Sequence, residues 1–190
     1  MTENAFFAAL AATALCLASC GGNEPDPLTD AVKAKIAESV KGLPEDVRID
    51  HFELIDSSAL GTELSRCKDL FRVKIKRENE LYEKYQRNAQ YSAASAKVQV
   101  IAKAQKHYDG IEELEKKFAA QKDSIIAYHY KLAGRAKNSE GALAKFDEAY
   151  VAVTPDNKVL TLVTDKRDLG KVVRHAIPGY MDLLGADKEE

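Results

Sequence analysis

The sequence predicts an α+β fold in which a long antiparallel helical hairpin packs on an antiparallel sheet. Three observations carry this. Apolar residues recur at helical spacing near the start of the chain and again across two long stretches between Ser58 and Gln121. After Ser124 the pattern changes to extended alternation. Two polar turns then divide that last part into three strands, which form a meander. An N-terminal helix and one early strand complete the expectation.

The N-terminal helix is expected from Leu28 to Lys41, because Leu28, Val32, Ile36 and Val40 recur every four residues and give one apolar stripe. Gly42 ends it and Pro44 prevents a restart. Val47 to Asp56, rich in Val, Ile and Phe, reads as a strand. Its alternation is blurred, since Phe52 and Leu54 fall opposite Val47, Ile49 and Ile55, which suggests that both faces are partly covered. Asp56, Ser57 and Ser58 offer side chains to cap the next helix. That helix should run from about Ser58 to Arg87, with Leu60, Leu64, Cys67, Phe71, Ile75, Glu78, Tyr82 and Tyr85 on one face. The small-residue stretch Ala89 to Ala96 either continues it or turns the corner of a hairpin. A second long helix covers about Ala96 to Gln121, with Val98, Ile101, Gln105, Tyr108, Ile111, Leu114 and Phe118 inward. Gly110 predicts a kink or break there.

Ile125 to Lys131 is the first C-terminal strand, with Tyr128 and Tyr130 on one face and His129 on the other. Asn138 to Gly141 is a polar turn, Phe146 to Val153 a second strand, and Thr154 to Lys158 a second turn before Val159 to Val163. Strand, turn, strand, turn, strand is an antiparallel meander. With the Val47 strand it makes a four-stranded sheet that needs cover on one face, which the hairpin could supply. A short helix through Leu169, Val172 and Val173 and a last turn from Tyr180 to Leu184 dock on the body.

The chain has 190 residues, 28 Lys and Arg, 30 Asp and Glu, and a net charge of −2. That balance gives no general attraction to nucleic acid, and no nucleic-acid partner is expected. The densest basic group, Arg72, Lys74, Lys76 and Arg77, is followed by Glu78, Glu80 and Glu83, a mixture that reads as a solvated helix face.

The apolar run Ala5 to Ala18 closes on Leu17-Ala18-Ser19-Cys20-Gly21. Small residues immediately before a cysteine, at the end of such a run, resemble the lipobox of bacterial lipoproteins. The resemblance implies a signal peptide over residues 1–19, cleavage before Cys20, and acyl chains such as palmitate on Cys20. Residues 20–27 then form the lipidated cysteine and a flexible Gly- and Pro-containing tether, 28–185 a single α+β domain, and 186–190 a frayed tail. In that family an Asp after the cysteine retains the protein at the inner membrane. Gly21 here implies the outer membrane, facing the periplasm or the cell surface. Glu24 and Asp26 resemble the acidic tethers of surface lipoproteins of Bacteroides-like bacteria. The implied partner is the membrane, reached through the lipid on Cys20. With Cys16 removed and Cys20 acylated, Cys67 has no partner for an intramolecular disulfide.

No catalytic residue, metal site or cofactor is assigned. His51, His107, His129 and His175 do not stand at ligand spacing, and no nucleophile elbow or phosphate loop occurs. Two constellations remain. Tyr82, Tyr85 and Tyr91 gather near one end of the long helix, where Tyr108 could approach across the hairpin to make a binding patch. Tyr128, His129, Asp147 and Arg167 could line a cleft between helices and sheet. The leading expectation is a lipid-anchored cell-envelope protein with a non-catalytic binding or structural role, toward another envelope protein or a small ligand. The alternative is a small-molecule-binding protein or a hydrolase-like enzyme that uses the cleft.

Overall fold

The computed structural model describes residues 26–185. The expected signal peptide, Cys20, the tether up to Pro25 and the tail 186–190 lie outside the described residues. The chain runs α1 (Pro27–Val40), β1 (Val47–Ala59), α2 (Leu60–Arg87), α3 (Tyr91–Lys117), β2 (Ile125–Lys137), β3 (Leu143–Val153), β4 (Val159–Val163), α4 (Leu169–Val173) and α5 (Tyr180–Gly185). The four strands form one sheet in the order β1-β2-β3-β4, antiparallel throughout. The α+β architecture and the packed hairpin are those read from the sequence.

α1 starts where Asp26 accepts from the backbone N–H groups of Leu28 and Thr29, with Pro27 at the first helical position. It ends on Lys41, which takes the left-handed conformation at φ 56°. Gly42 follows because a Cβ there would overlap the Lys137 carbonyl oxygen. Val32, Ile36 and Ala37 pack on Leu132, Ala136, Ala149, Val151 and Val153 and so cover one sheet face. Ala127 and Ala152 on the opposite face meet Leu169 and Val173 of α4.

The blurred alternation of β1 has a local cause. The register with β2 shifts between Ile49 and His51 and again between Leu54 and Asp56. An extra residue at the first bulge lets Val47, Ile49 and Phe52 all reach the α1 side, where Phe52 stacks on Tyr130 at 4.6 Å. The strand also runs on to Ala59, three residues past the expected end. The Asp56–Ser58 cap therefore does not form. Instead the first N–H groups of α2 donate to the carbonyls of Ser124 and Lys122 at 2.9 and 2.8 Å, which ties the helix start to the loop entering β2.

α2 and α3 form the hairpin, and the undecided corner is a tight turn. Ala89 takes φ 58° and Gln90 N–H donates to the Tyr85 carbonyl at 2.9 Å. α3 thus begins at Tyr91, five residues before the expected start. It runs unbroken through Gly110, so the expected break does not occur. A Cβ there would overlap the Leu183 side chain of α5, so glycine lets that leucine pack directly on the helix and a larger residue would push it aside. At the root of the hairpin Leu60, Leu64, Cys67 and Ile111 bury against Ile177 and Tyr180, with Ile126 of β2 packed alongside. The hairpin thereby joins the sheet at its base.

Candidate functional site

Among the described residues, buried polar side chains concentrate where β1 becomes α2. Ser58, Glu63 and His129 are 3 %, 2 % and 6 % exposed. The Ser58 hydroxyl donates to Glu63 Oε1 at 2.8 Å, and the Arg66 guanidinium donates to the same oxygen. His129 Nε2 stands 3.3 Å from Ser58 Oγ. Since the single Ser58 proton goes to Glu63, the network assigns the neutral ring its proton on Nε2, donating to Ser58. Burial pushes the imidazole below its ordinary value, against the opposing pull of Asp56 and Glu63.

A serine beside a histidine invites comparison with a nucleophile and its base. The proton direction argues otherwise. In acyl transfer the imidazole takes the hydroxyl proton, whereas here the hydroxyl gives it to a carboxylate under a helix. The three side chains instead pin the first turn of α2 to β2, each satisfying another's buried polar atom. The position of Glu63 was a usable signal in the sequence. It lies three residues after Leu60 and four before Cys67, an acid inside an apolar stripe, and such a residue demands a partner.

A second buried group sits below. The Tyr180 hydroxyl donates toward Cys67, and burial pushes the phenol up to about 12 and the thiol above its ordinary value. Arg174 lies beside both, and its Nε has no hydrogen-bond partner among the described residues.

The predicted cleft does not assemble. Tyr128 and His129 lie on opposite faces of the sheet by strand alternation, with His129 on the side of Ala127 and α4. His129 is therefore enclosed and does not line an opening. Asp147 is exposed and pairs with Lys145 at 2.8 Å. Arg167 is exposed on the turn after β4 and holds Asp165 at 2.6 Å, depressing that carboxyl to about 2. An open groove of about 610 Å³ exists elsewhere, at the outer side of the hairpin root, lined by Gly61, Arg66, Asp69, Glu115, Phe118 and Lys122 among others.

The tyrosine patch assembles only in part. Tyr82 and Tyr85 are half-buried on neighbouring turns of α2, where Gln86 donates to the Tyr82 hydroxyl at 3.2 Å, and Tyr91 is exposed at the start of α3. Tyr108 does not join them. It lies under Lys68, whose ammonium is 5.9 Å from the ring centroid. Fourteen residues of helix separate Lys68 from Tyr82, about 21 Å along the axis. The inward residues of distal α3 also differ from those expected. Ala94, Ala104 and His107 are buried and Lys97 pairs with Glu78 at 2.7 Å, whereas Val98 and Gln105 are exposed. Small alanines let the helices approach, so the seam rotates away from the larger Val98.

Among the described residues no three His, Cys, Asp or Glu side chains gather as metal ligands, and no helix is long and apolar enough to cross a membrane. No known protein family, curated protein or solved structure matches the chain.

Proposed function

We infer that this chain is a lipid-anchored protein of a bacterial envelope with a non-catalytic binding or structural role, and that its helical hairpin is the working surface. The observation that carries the reading is a contrast in exposure. The most chemically suggestive cluster, Ser58–Glu63–His129, is sealed under α2. Leu70, Val73, Tyr91, Val98 and Val100, by contrast, are presented to solvent along α2 and α3. The lipobox-like Leu17–Gly21 supports the anchor, and acyl chains on Cys20 would hold the body at a bilayer without a spanning helix.

Mass spectrometry of the N-terminal peptide from membrane-extracted protein tests this. A mature chain beginning at acylated Cys20 is expected. An intact 1–19 segment or an unmodified Cys20 overturns the anchor. The groove beside Arg66 and Lys122 favours a second reading, a small-ligand carrier. Its mixed lining of Arg66, Lys122, Asp69 and Glu115 suits a zwitterionic ligand, and calorimetry with amino acids and short peptides separates it from the first.

A further inference from the structure

We propose that one flank of the projecting hairpin docks on an anionic lipid bilayer, laying the arm along the membrane to which Cys20 tethers the chain. The proposal rests on the anchored reading above.

The two edges of the α2–α3 seam differ in charge. On one, Lys68 pairs with Glu115 at 2.5 Å and Glu112 at 3.5 Å beside Tyr108. The opposite edge carries Leu70, Lys74, Arg77 and Leu81 on α2, spaced by four, three and four residues, and Val100 and Lys103 on α3. Lys74, Arg77 and Lys103 are exposed, as is Lys84 one turn beyond Leu81, Leu70 is 55 % exposed, and Val100 is 36 % exposed. Folding sorts the mixed signs of this stretch. Glu78 turns into the seam and is held by Lys97, and helical rotation carries Glu83 away from the edge, which leaves the exposed Glu80 as the one acid beside Arg77.

The charge of the arm as a whole points the same way. Residues 70–108 hold nine Lys and Arg against three Glu, in a chain whose net charge is −2. No acid occurs between Glu83 and Asp109. Cations interleaved with aliphatics, with no pocket and no fixed pattern of acceptors, fit a fluid array of phosphates better than a shaped partner. Long lysine and arginine stems can lie along the apolar boundary while their charged ends reach the headgroups.

The membrane is also within reach. Asp26 lies close enough to Tyr130 to act on its phenol, in the half of β2 from which the hairpin leaves. The six residues from Cys20 to Asp26 span at most about 20 Å. α2 is 28 residues long, or about 42 Å, so a bilayer held by Cys20 lies within the sweep of the arm.

The test uses the mature chain from residue 20 carrying Cys20→Ser, so that neither the apolar run nor an acyl chain contributes and failure here leaves the anchor's own mass-spectrometric test untouched. Sedimentation is measured with phosphatidylglycerol vesicles and with phosphatidylcholine vesicles, in low and high salt. The expected result is preferential, salt-sensitive binding to phosphatidylglycerol. Lys74→Glu with Arg77→Glu and Lys84→Glu should reduce it by about tenfold or more, with an unchanged thermal melt. Equal binding to both vesicle types, or binding indifferent to the three reversals, overturns the proposal. So does salt-sensitive self-association without vesicle binding, which would assign the flank to the acidic body of a second copy.

Discussion

The two halves of the hairpin are built on different principles, although they share the same two helices. At the root, Leu60, Leu64, Cys67 and Ile111 are buried on all sides because α5 and β2 close over the helix pair. Beyond Phe71, among the described residues, the two helices pack chiefly on each other. There the seam narrows to Ala94, Ala104 and the Glu78–Lys97 pair, and aliphatic residues appear on the outside. The root spends its apolar residues on the fold, whereas the arm displays them. Helices that face only one partner bury a single stripe, so the arm's outer residues are free of packing constraint and open to selection for contact.

Substitutions at the root should break the molecule, and the largest effect is expected from Leu64→Ala. A fully buried leucine removed from between α2 and α5 leaves a cavity, at a cost of about 2–5 kcal/mol. Urea denaturation reads this directly. A loss under about 1 kcal/mol would mean that the root is packed no better than the arm. Ser58→Ala follows, at about 1–3 kcal/mol, because buried Glu63 loses a donor and His129 an acceptor. The same pin predicts a pH dependence. The folded value of His129 lies below its ordinary 6.5, so the neutral ring's contribution is complete above that value and is lost as pH falls toward the folded one. Between pH 7 and 5 the wild type should lose stability relative to His129→Gln, measured by thermal melts across that window. Parallel curves would remove His129 from the pin.

The order of elements and the sheet were legible because they depend on periodicity and turn chemistry, which are local. β4 was read to the residue, since Thr154–Lys158 and the end of the apolar run fix it on both sides. The end of β1 and the start of α2 were not, because the capping carbonyls belong to Lys122 and Ser124, more than sixty residues on. Gly110 misled for a related reason. Its lost propensity is visible in the sequence, whereas the Leu183 side chain that packs where a Cβ would be is not. Ser58 and His129 are separated by 71 residues, so the pin could be suspected at Glu63 but not assembled. Among the proposed sites, Tyr82 and Tyr85 were legible as helical neighbours. Tyr108 failed because its position across the hairpin depended on where the corner turned.

Farther out, effects should shrink. Glu78→Gln removes the charge that Lys97 holds at 2.7 Å in the distal seam. Lys97 keeps the Glu78 carboxyl below its ordinary value, so the pair contributes above that value and fades as pH falls through the folded one. The variant should therefore differ from wild type near neutrality and converge with it in acid. A Glu78→Gln melt that tracks the wild type at every pH would show the pair to be a surface contact without consequence.

The smallest effect sharpens the contrast most. Val98→Ser changes an aliphatic side chain that is 52 % exposed on α3 and belongs to none of the three buried clusters of the described residues. Serine is a somewhat poorer helix former, and the expected change in stability is within about 0.5 kcal/mol. Val98 lies four residues after Ala94 and three before Ile101, close enough to the seam for a hidden packing role to show itself. A loss approaching that of Leu64→Ala would place Val98 inside an interface, and the arm would then have to be closed by a second copy in solution. Sedimentation equilibrium of wild type and variant decides between these. A monomer in both, with unchanged stability, leaves the aliphatic surface of the arm as one that the fold does not need.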